Sequence, residues 1–213
     1  MNLLKDNVKR HEIKFILNSK EKDQFIKNNN LMKLFPDRIV ESIYYDTIDF
    51  KYFYLSEEGV TPRLKIRIRG YDDKELNNLE IKKTKNHHRE KIILKNFECN
   101  DYNIHNNLKK IGINNIVEEK IRVKYLRSYY KLENVGRITM DRNIEFLLPN
   151  KKFHNSKKIN QIILEVKIQS EKIDKNNIER IINLKESRFS KYCVGINNIF
   201  QKSIWFDLSF FLI

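Results

Sequence analysis

Apolar and polar residues alternate along most of this chain with a period of two. That spacing sends successive side chains to opposite faces of a β-strand. The alternation is strictest in RLKIRIRGY (63–71), where Arg63, Lys65, Arg67 and Arg69 share one face and Leu64, Ile66 and Ile68 the other. LEIKK (79–83) sets Glu80 and Lys82 against Leu79 and Ile81, and GRITMD (136–141) sets Arg137, Thr139 and Asp141 against Ile138 and Met140. ILEVKI (163–168) opposes Glu165 and Lys167 to Leu164, Val166 and Ile168, and RHEIKFIL (10–17) opposes Glu12 and Lys14 to Ile13 and Phe15. SIYYDT (42–47), HREKIILK (88–95) and VEEKIRVKYLRSYYKL (117–132) are strand-like too.

Helical spacing is rarer. A polar stretch opens at Ser19; residues 101–112 place Ile104, Leu108 and Ile111 on one face, with Gly112 as the stop. Asp174 can cap a helix carrying Ile178, Ile181 and Ile182, and Ser190 can cap a last one reaching about Lys202. The order shows no regular βα alternation, so a doubly wound parallel sheet is not expected. The pattern predicts an α+β domain: an antiparallel sheet or barrel of about eight strands with surrounding helices.

A single amphipathic strand reads as core on one side and water on the other. Five strands repeating one charged face, mostly Lys and Arg with carboxylates embedded among them, read differently. Like charges side by side on a sheet repel, and a bound polyanion would compensate them. A barrel with these faces inward makes a basic tunnel, and its aliphatic outer faces then need helices to cover them. A carboxylate inside such a tunnel is costly unless it pairs with a cation or holds a divalent metal. Glu165 is the leading metal-ligand candidate, with Glu12 and Glu80 weaker; salt bridging to neighbouring Lys and Arg is the alternative for each.

Composition narrows the partner. Lys and Arg number 42 against 28 Asp and Glu in 213 residues, a net charge of +14. That balance favours polyanions: nucleic acid, lipid headgroups or polyphosphorylated small molecules. With 30 Lys, 30 Ile and 26 Asn but only 12 Arg, much of the lysine is background and the arginine positions carry more information. The N-terminus lacks a secretory apolar stretch and no run is long enough to span a membrane. Cys99 and Cys193 form no disulfide framework or zinc spacing, and the apolar end (203–213) reads as a packed tail. A cytoplasmic, single-domain protein is expected over residues 1–213.

The ordered series RHEIKF, SIYYDTIDFKYF, RLKIRIRGY, LEIKK, KYLRSYY, RITMD, ILEVKI and SRFSKYCVG, over roughly residues 8–200, resembles the VTC domain. This is the polyphosphate polymerase module first known from the vacuolar transporter chaperone complex, within the CYTH-like triphosphate tunnel metalloenzymes. The resemblance implies an antiparallel tunnel barrel and transfer of the ATP γ-phosphate to a growing polyphosphate chain. ADP is released and a divalent metal, Mn²⁺ or Mg²⁺, is required, with pyrophosphate as a primer. It further implies that Arg67, Arg69, Lys82, Lys91, Arg127 and Arg137 bind phosphates, that Glu165 binds the metal, and that Lys14 and Lys191 face the tunnel. Parity adds Lys65 and Lys167. In place of the Glu-x-Glu-x-Lys opening common in the superfamily, Arg10 stands at the first Glu position, which disfavours a two-metal triphosphatase.

Two rivals stay open: a tripolyphosphate or nucleoside triphosphate hydrolase of the same fold, and a non-catalytic polyanion-binding module. Specific nucleic-acid binding is not expected, since the basic residues alternate with carboxylates instead of with stacking aromatics. His87 and His88 read as a solvated loop, Asp46 and Asp49 as turn and strand-end residues, and Tyr129 and Tyr130 as core. No nucleophile–base pair or glycine-rich phosphate loop is present, so no covalent intermediate is indicated.

Overall fold

A computed structural model describes residues 3–6, 11–86, 88–133, 135–149, 156–168 and 175–207. In chain order the elements are β1 (Leu3–Asp6), β2 (His11–Leu17), α1 (Ser19–Asn28), β3 (Met32–Asp46), α2 (Lys51–Glu58), β4 (Arg63–Tyr71), β5 (Asn78–Lys85) and β6 (His88–Leu94). There follow α3 (Asp101–Lys110), β7 (Glu118–Leu132), β8 (Gly136–Leu147), β9 (Lys157–Ile159), β10 (Ile162–Ile168), α4 (Lys175–Ile182) and α5 (Lys191–Asp207). The strands form one antiparallel sheet in the order β1-β6-β5-β4-β3-β7-β8-β10-β2, with β9 beside β8. The sheet curls strongly. Lys82 of β5 and Glu12 of β2, near opposite ends of that order, come within 3.6 Å across the interior. Among the described residues β1 and β2 do not pair, so the wall is a curled half-barrel that keeps a seam.

The inside-out arrangement expected from parity is what forms. Ile13, Phe15, Leu17, Ile138, Met140, Leu164 and Val166 turn outward and are covered by Phe25 of α1 and Ile178 and Ile182 of α4. Ile43, Ile66, Ile68, Leu79 and Ile81 turn outward on the other wall and are covered by Ile104 and Leu108 of α3. Ile181, placed with Ile178 and Ile182 by spacing alone, stays 46% exposed. Gly112 adopts φ +79 and ends α3 as expected. α1 begins at Ser19, where the polar stretch opens, and Asn18 caps it in a capping box with Glu21.

One end of the interior is apolar. Tyr192, Cys193 and Ile196 of α5 and Phe53 of α2 pack there against Val40, Ile121, Val123, Ile144, Phe146 and Ile163. The approach of α5 requires a glycine. A Cβ on Gly195 would lie 2.5 Å from Ile121 Cδ1 and 2.7 Å from Phe146 Cδ1. Ser190 caps α5, accepting from the Cys193 N–H at 3.4 Å. α2 was not anticipated from its sequence. Asp46, the last residue of β3, accepts from the N–H groups of Tyr52 (2.9 Å) and Phe53 (2.8 Å) and from the Tyr192 hydroxyl (2.5 Å). This fully buried carboxylate caps α2 and ties α5 to it.

Asp174, Arg10, His87 and residues 208–213 of the tail lie outside the described residues; 203–207 continue α5. Among the described residues no helix is long and apolar enough to cross a membrane.

Candidate functional site

The other end of the interior is a polar cavity of about 620 Å³, and it gathers every phosphate and metal candidate named from the sequence. Lys65, Arg67 and Arg69 come from β4, Glu80 and Lys82 from β5, and Lys91 from β6. Arg127 comes from β7, Arg137 from β8, Glu165 and Lys167 from β10, Glu12 and Lys14 from β2, and Lys191 from α5. Arg127 does share a face with Val123 and Tyr125, as parity requires, and that face points inward. A register shift between Lys124 and Leu126 against β8 accompanies it.

Three carboxylate-centred clusters organise these cations. Glu80 accepts from Arg67 Nε at 2.7 Å and from its Nη2, from Lys91 Nζ at 3.1 Å, and lies 3.5 Å from Arg69 Nη1. Burial pushes the Glu80 carboxyl up, but Arg67, Arg69 and Lys91 hold it well below the usual range. Asp141, fully buried, accepts a fork from Arg127 at 2.6 and 2.7 Å and a further bond from Lys191. The third cluster lies on β2 and β10. Lys167 reaches Glu165 at 3.2 Å and Glu12 at 3.5 Å, and Lys82 reaches Glu12 at 3.6 Å across the seam.

The lysines are poised. Burial brings Lys65 down to about 8, with Lys14 and Lys82 adding repulsion, and its ammonium donates to Ser190 Oγ at 2.8 Å. Burial also brings Lys82 down to about 8, helped by Arg67 and Lys167. Lys14 donates to the Phe189 carbonyl at 2.8 Å.

Several lining residues had no sequence argument behind them. Tyr44 accepts from Arg67 Nη1 at 3.1 Å and stacks on Tyr192, with ring centroids 5.3 Å apart. Burial raises its pKa, but Arg67, Arg69 and Lys191 bring it down to about 8. Tyr125 accepts from Arg69 Nη2 at 3.2 Å and lies 4.6 Å beneath the Lys191 ammonium. Asp141 lies on the charged face of its strand, and the sequence assigns it no role. Its parity with Arg137 was the available signal, whereas the tyrosines could be found only from cross-strand pairing.

The donor set was tested for a divalent cation. Glu80 fits poorly, because both of its oxygens already accept hydrogen bonds, Oε2 from Arg67 and Oε1 from Lys91. Glu165 and Glu12 fit better: Glu165 opposes the ionisation of Glu12, and their cation contacts, to Lys167 and Lys82 at 3.2–3.6 Å, are looser than the hydrogen bonds on Glu80, while Lys167, Lys14, Arg127 and Lys82 hold Glu165 below the usual range. Among the described residues no group of three or more His, Cys, Asp or Glu forms a complete cage. Remaining ligands would come from phosphate oxygens and water, the way Mg²⁺ is commonly held.

A family model for the VTC domain matches residues 9–200. The chain belongs to the VTC-domain family. No curated protein matches it by sequence. Solved structures share the fold at low identity. A Pyrococcus horikoshii protein matches with TM-score 0.54 and 17% identity, over 91% of this chain and 99% of that one. A candidate adenylate cyclase from Bacillus halodurans matches with TM-score 0.55 and 12% identity, over 93% and 98%. A candidate adenylyl cyclase from Hippeastrum, described as having a dominant triphosphatase activity, matches with TM-score 0.52 and 10% identity, over 88% and 95%. This VTC domain therefore has the fold of those structures, the triphosphate tunnel fold.

Proposed function

We propose that this VTC domain is a cytoplasmic, metal-dependent polyphosphate polymerase that passes the γ-phosphate of ATP to a growing polyphosphate chain and releases ADP. The observation that carries the reading is the cavity itself: one continuous basic chamber in which Glu12, Glu80 and Glu165 are each engaged by cations. Phosphoryl transfer needs chiefly positioning and neutralisation of charge on phosphate oxygens. Arg67 and Arg69, oriented by Glu80, and Arg127, oriented by Asp141, supply planar donor forks. Lys14, Lys65, Lys82, Lys91, Lys167, Lys191 and Arg137 supply further positive charge. Glu165, with Glu12, would hold Mn²⁺ or Mg²⁺, which supplies Lewis-acid neutralisation of the phosphate oxygens when bound.

The choice of acceptor follows from the same pairings. A hydrolase must activate water, and a general base works best with a pKa near the operating pH. Glu80, Asp141 and Glu165 are all held below their ordinary values, so each is a poor base. A terminal phosphate of polyphosphate is already anionic and needs no such base.

The test is to incubate the purified protein with γ-labelled ATP, Mn²⁺ and a pyrophosphate primer and to separate the products on a gel. A labelled ladder with ADP is expected. Free labelled phosphate alone would replace the polymerase with a hydrolase. Neither product, with polyphosphate still bound, would leave a binding module.

A further inference from the structure

The lysines of the cavity are not alike. Lys82 and Lys167 reach Glu12, Lys91 reaches Glu80, and Lys191 reaches Asp141. Lys14 stands close enough to Glu12 and Glu165 to favour the ionised form of both. Lys65 has no such partner. It is half-buried on β4, and among the described residues its nitrogen bonds only the Ser190 hydroxyl, at 2.8 Å.

The groups that face Lys65 come from several elements. Lys14 of β2 and Lys82 of β5 repel its charge, and Tyr44 of β3 and Cys193 of α5 attract it only once they ionise. Glu57 of α2 is turned to Cys193 and to Asn197 Nδ2 at 3.4 Å. Glu90 and Glu186 line the cavity with Glu57, and among the described residues none of the three forms an ion pair with Lys65. Burial and the two neighbouring ammoniums bring Lys65 down to about 8. Against an ordinary lysine at about 10.4, that raises the free-amine fraction below pH 8 on the order of a hundredfold. A neutral lysine amine is a nucleophile.

Position adds what reactivity alone does not. Lys82 stands directly opposite Lys65, with Cβ atoms ~5 Å apart, and Arg67 lies two positions along the same face of β4, ~7 Å away. A phosphate group held among Lys14, Lys82 and Arg67 relieves the repulsion between them. An acyl group carried on one of its oxygens then falls beside the Lys65 nitrogen.

We propose that Lys65 is an acylation site for small acyl phosphates, and that its acylation weakens the cavity's hold on triphosphate. The neutral amine attacks the acyl carbon. A C–N bond forms, the C–O bond to phosphate breaks, and inorganic phosphate leaves with the proton lost from nitrogen. No further reactant is needed. The amide that remains carries no charge, so the cavity loses one cation. The proposal rests on the cavity binding phosphate groups, but not on polymerase activity.

The test incubates the full chain with acetyl phosphate and follows acetylation at each lysine by digestion and mass spectrometry. Lys65 should react about tenfold faster than exposed Lys20 and Lys110, since a weaker base gives back part of its gain in free amine. It should also precede Lys82, whose ammonium faces Glu12. Saturating tripolyphosphate should remove that lead, and N-acetoxysuccinimide, an uncharged acylating reagent, should show a lead several-fold smaller. After treatment, tripolyphosphate should bind the wild type several-fold more weakly, with little loss in Lys65→Arg. Lys65 reacting no faster than Lys20, Lys82 reacting first, a lead that survives tripolyphosphate or is equal with the uncharged reagent, or an equal loss of affinity in Lys65→Arg would each overturn the acylation site while leaving the cavity reading intact. Failure of the untreated protein to bind tripolyphosphate would overturn the cavity reading, and the acylation site with it.

Discussion

Two carboxylate clusters face each other across the cavity, and they differ in kind. On the β4–β6 wall, one carboxylate, Glu80, is shared by Arg67, Arg69 and Lys91. Its partners stand on its own strand's neighbours, fixed by sheet register: Arg67 directly opposite Glu80 on β4, and Lys91 on β6 one row away. On the β2–β10 wall two carboxylates, Glu12 and Glu165, share Lys167, and the remaining contact comes from Lys82 over the seam. The first cluster sets three cations on one carboxylate, Arg67 and Lys91 through direct hydrogen bonds, so it serves to aim arginines. The second has carboxylates close enough to repel and looser partners at 3.2–3.6 Å, so it can exchange a lysine for a metal.

The sharpest break between the two comes from neutralising each carboxylate. Glu165→Gln keeps size and shape but removes the charge that would hold the metal. Lewis-acid neutralisation contributes several kcal/mol to a phosphoryl-transfer transition state, so turnover should fall on the order of a thousandfold. Polyphosphate binding without metal should persist. Labelled-ATP turnover and a metal-free titration read the two effects, and undiminished turnover would remove Glu165 from the metal site.

Glu80→Gln should do the reverse. It leaves Arg67, Arg69 and Lys91 crowded around a neutral amide in a site where the carboxylate is 5% exposed. Breaking a buried ion pair in this way costs about 3–5 kcal/mol. Denaturant unfolding should show that loss in the empty protein, and saturating tripolyphosphate should restore more stability to the variant than to the wild type. Equal ligand stabilisation in both would mean that Glu80 does not stand in for bound phosphate.

The contrast also explains what the sequence could disclose. Period-two alternation gave the inward row of β4 to the residue, because one face of that strand is aliphatic without interruption. It did not give the first ten residues of β3. There Pro36 falls within the register shift between Phe35 and Arg38 against β7, and the burial pattern is mixed. It did not give α2, whose cap is Asp46, several residues ahead of the helix, in place of an adjacent side chain. Parity tells which face a charge is on, but not which charge stands opposite. Glu80 was therefore weighed as a metal ligand alongside Glu165. Only the cross-strand register separates the carboxylate enclosed by three cations from the one beside a second carboxylate.

A smaller effect comes from the lysines between the clusters. Lys65 and Lys82 titrate near 8 in the empty cavity. A bound polyanion favours the ammonium form, so binding takes up protons once the pH exceeds that value. Affinity for tripolyphosphate should be flat below about pH 7 and fall as pH rises through 8, by up to roughly tenfold per pH unit for each titrating lysine. Calorimetry in buffers of different ionisation heat would count the protons, and no uptake at pH 8.5 would contradict the poised lysines.

Tyr44 gives the mildest test and the most discriminating one. Its phenol, also near 8, stands beside Arg67 and Lys191 at the junction of the charged cavity and the apolar plug. Losing the acceptor for Arg67 in Tyr44→Phe removes one charge-assisted hydrogen bond, worth ~1.5 kcal/mol or about tenfold at the low end of the range for such bonds. At pH 7 the loss should be smaller than that, because Arg67 keeps its bond to Glu80. Above pH 8 the sign turns: the wild-type phenolate places a negative charge where phosphate must bind, and the phenylalanine variant cannot. The fall in affinity with rising pH should therefore be shallower in Tyr44→Phe than in the wild type. An identical slope in both proteins would assign the whole titration to the lysines and leave Tyr44 as packing alone.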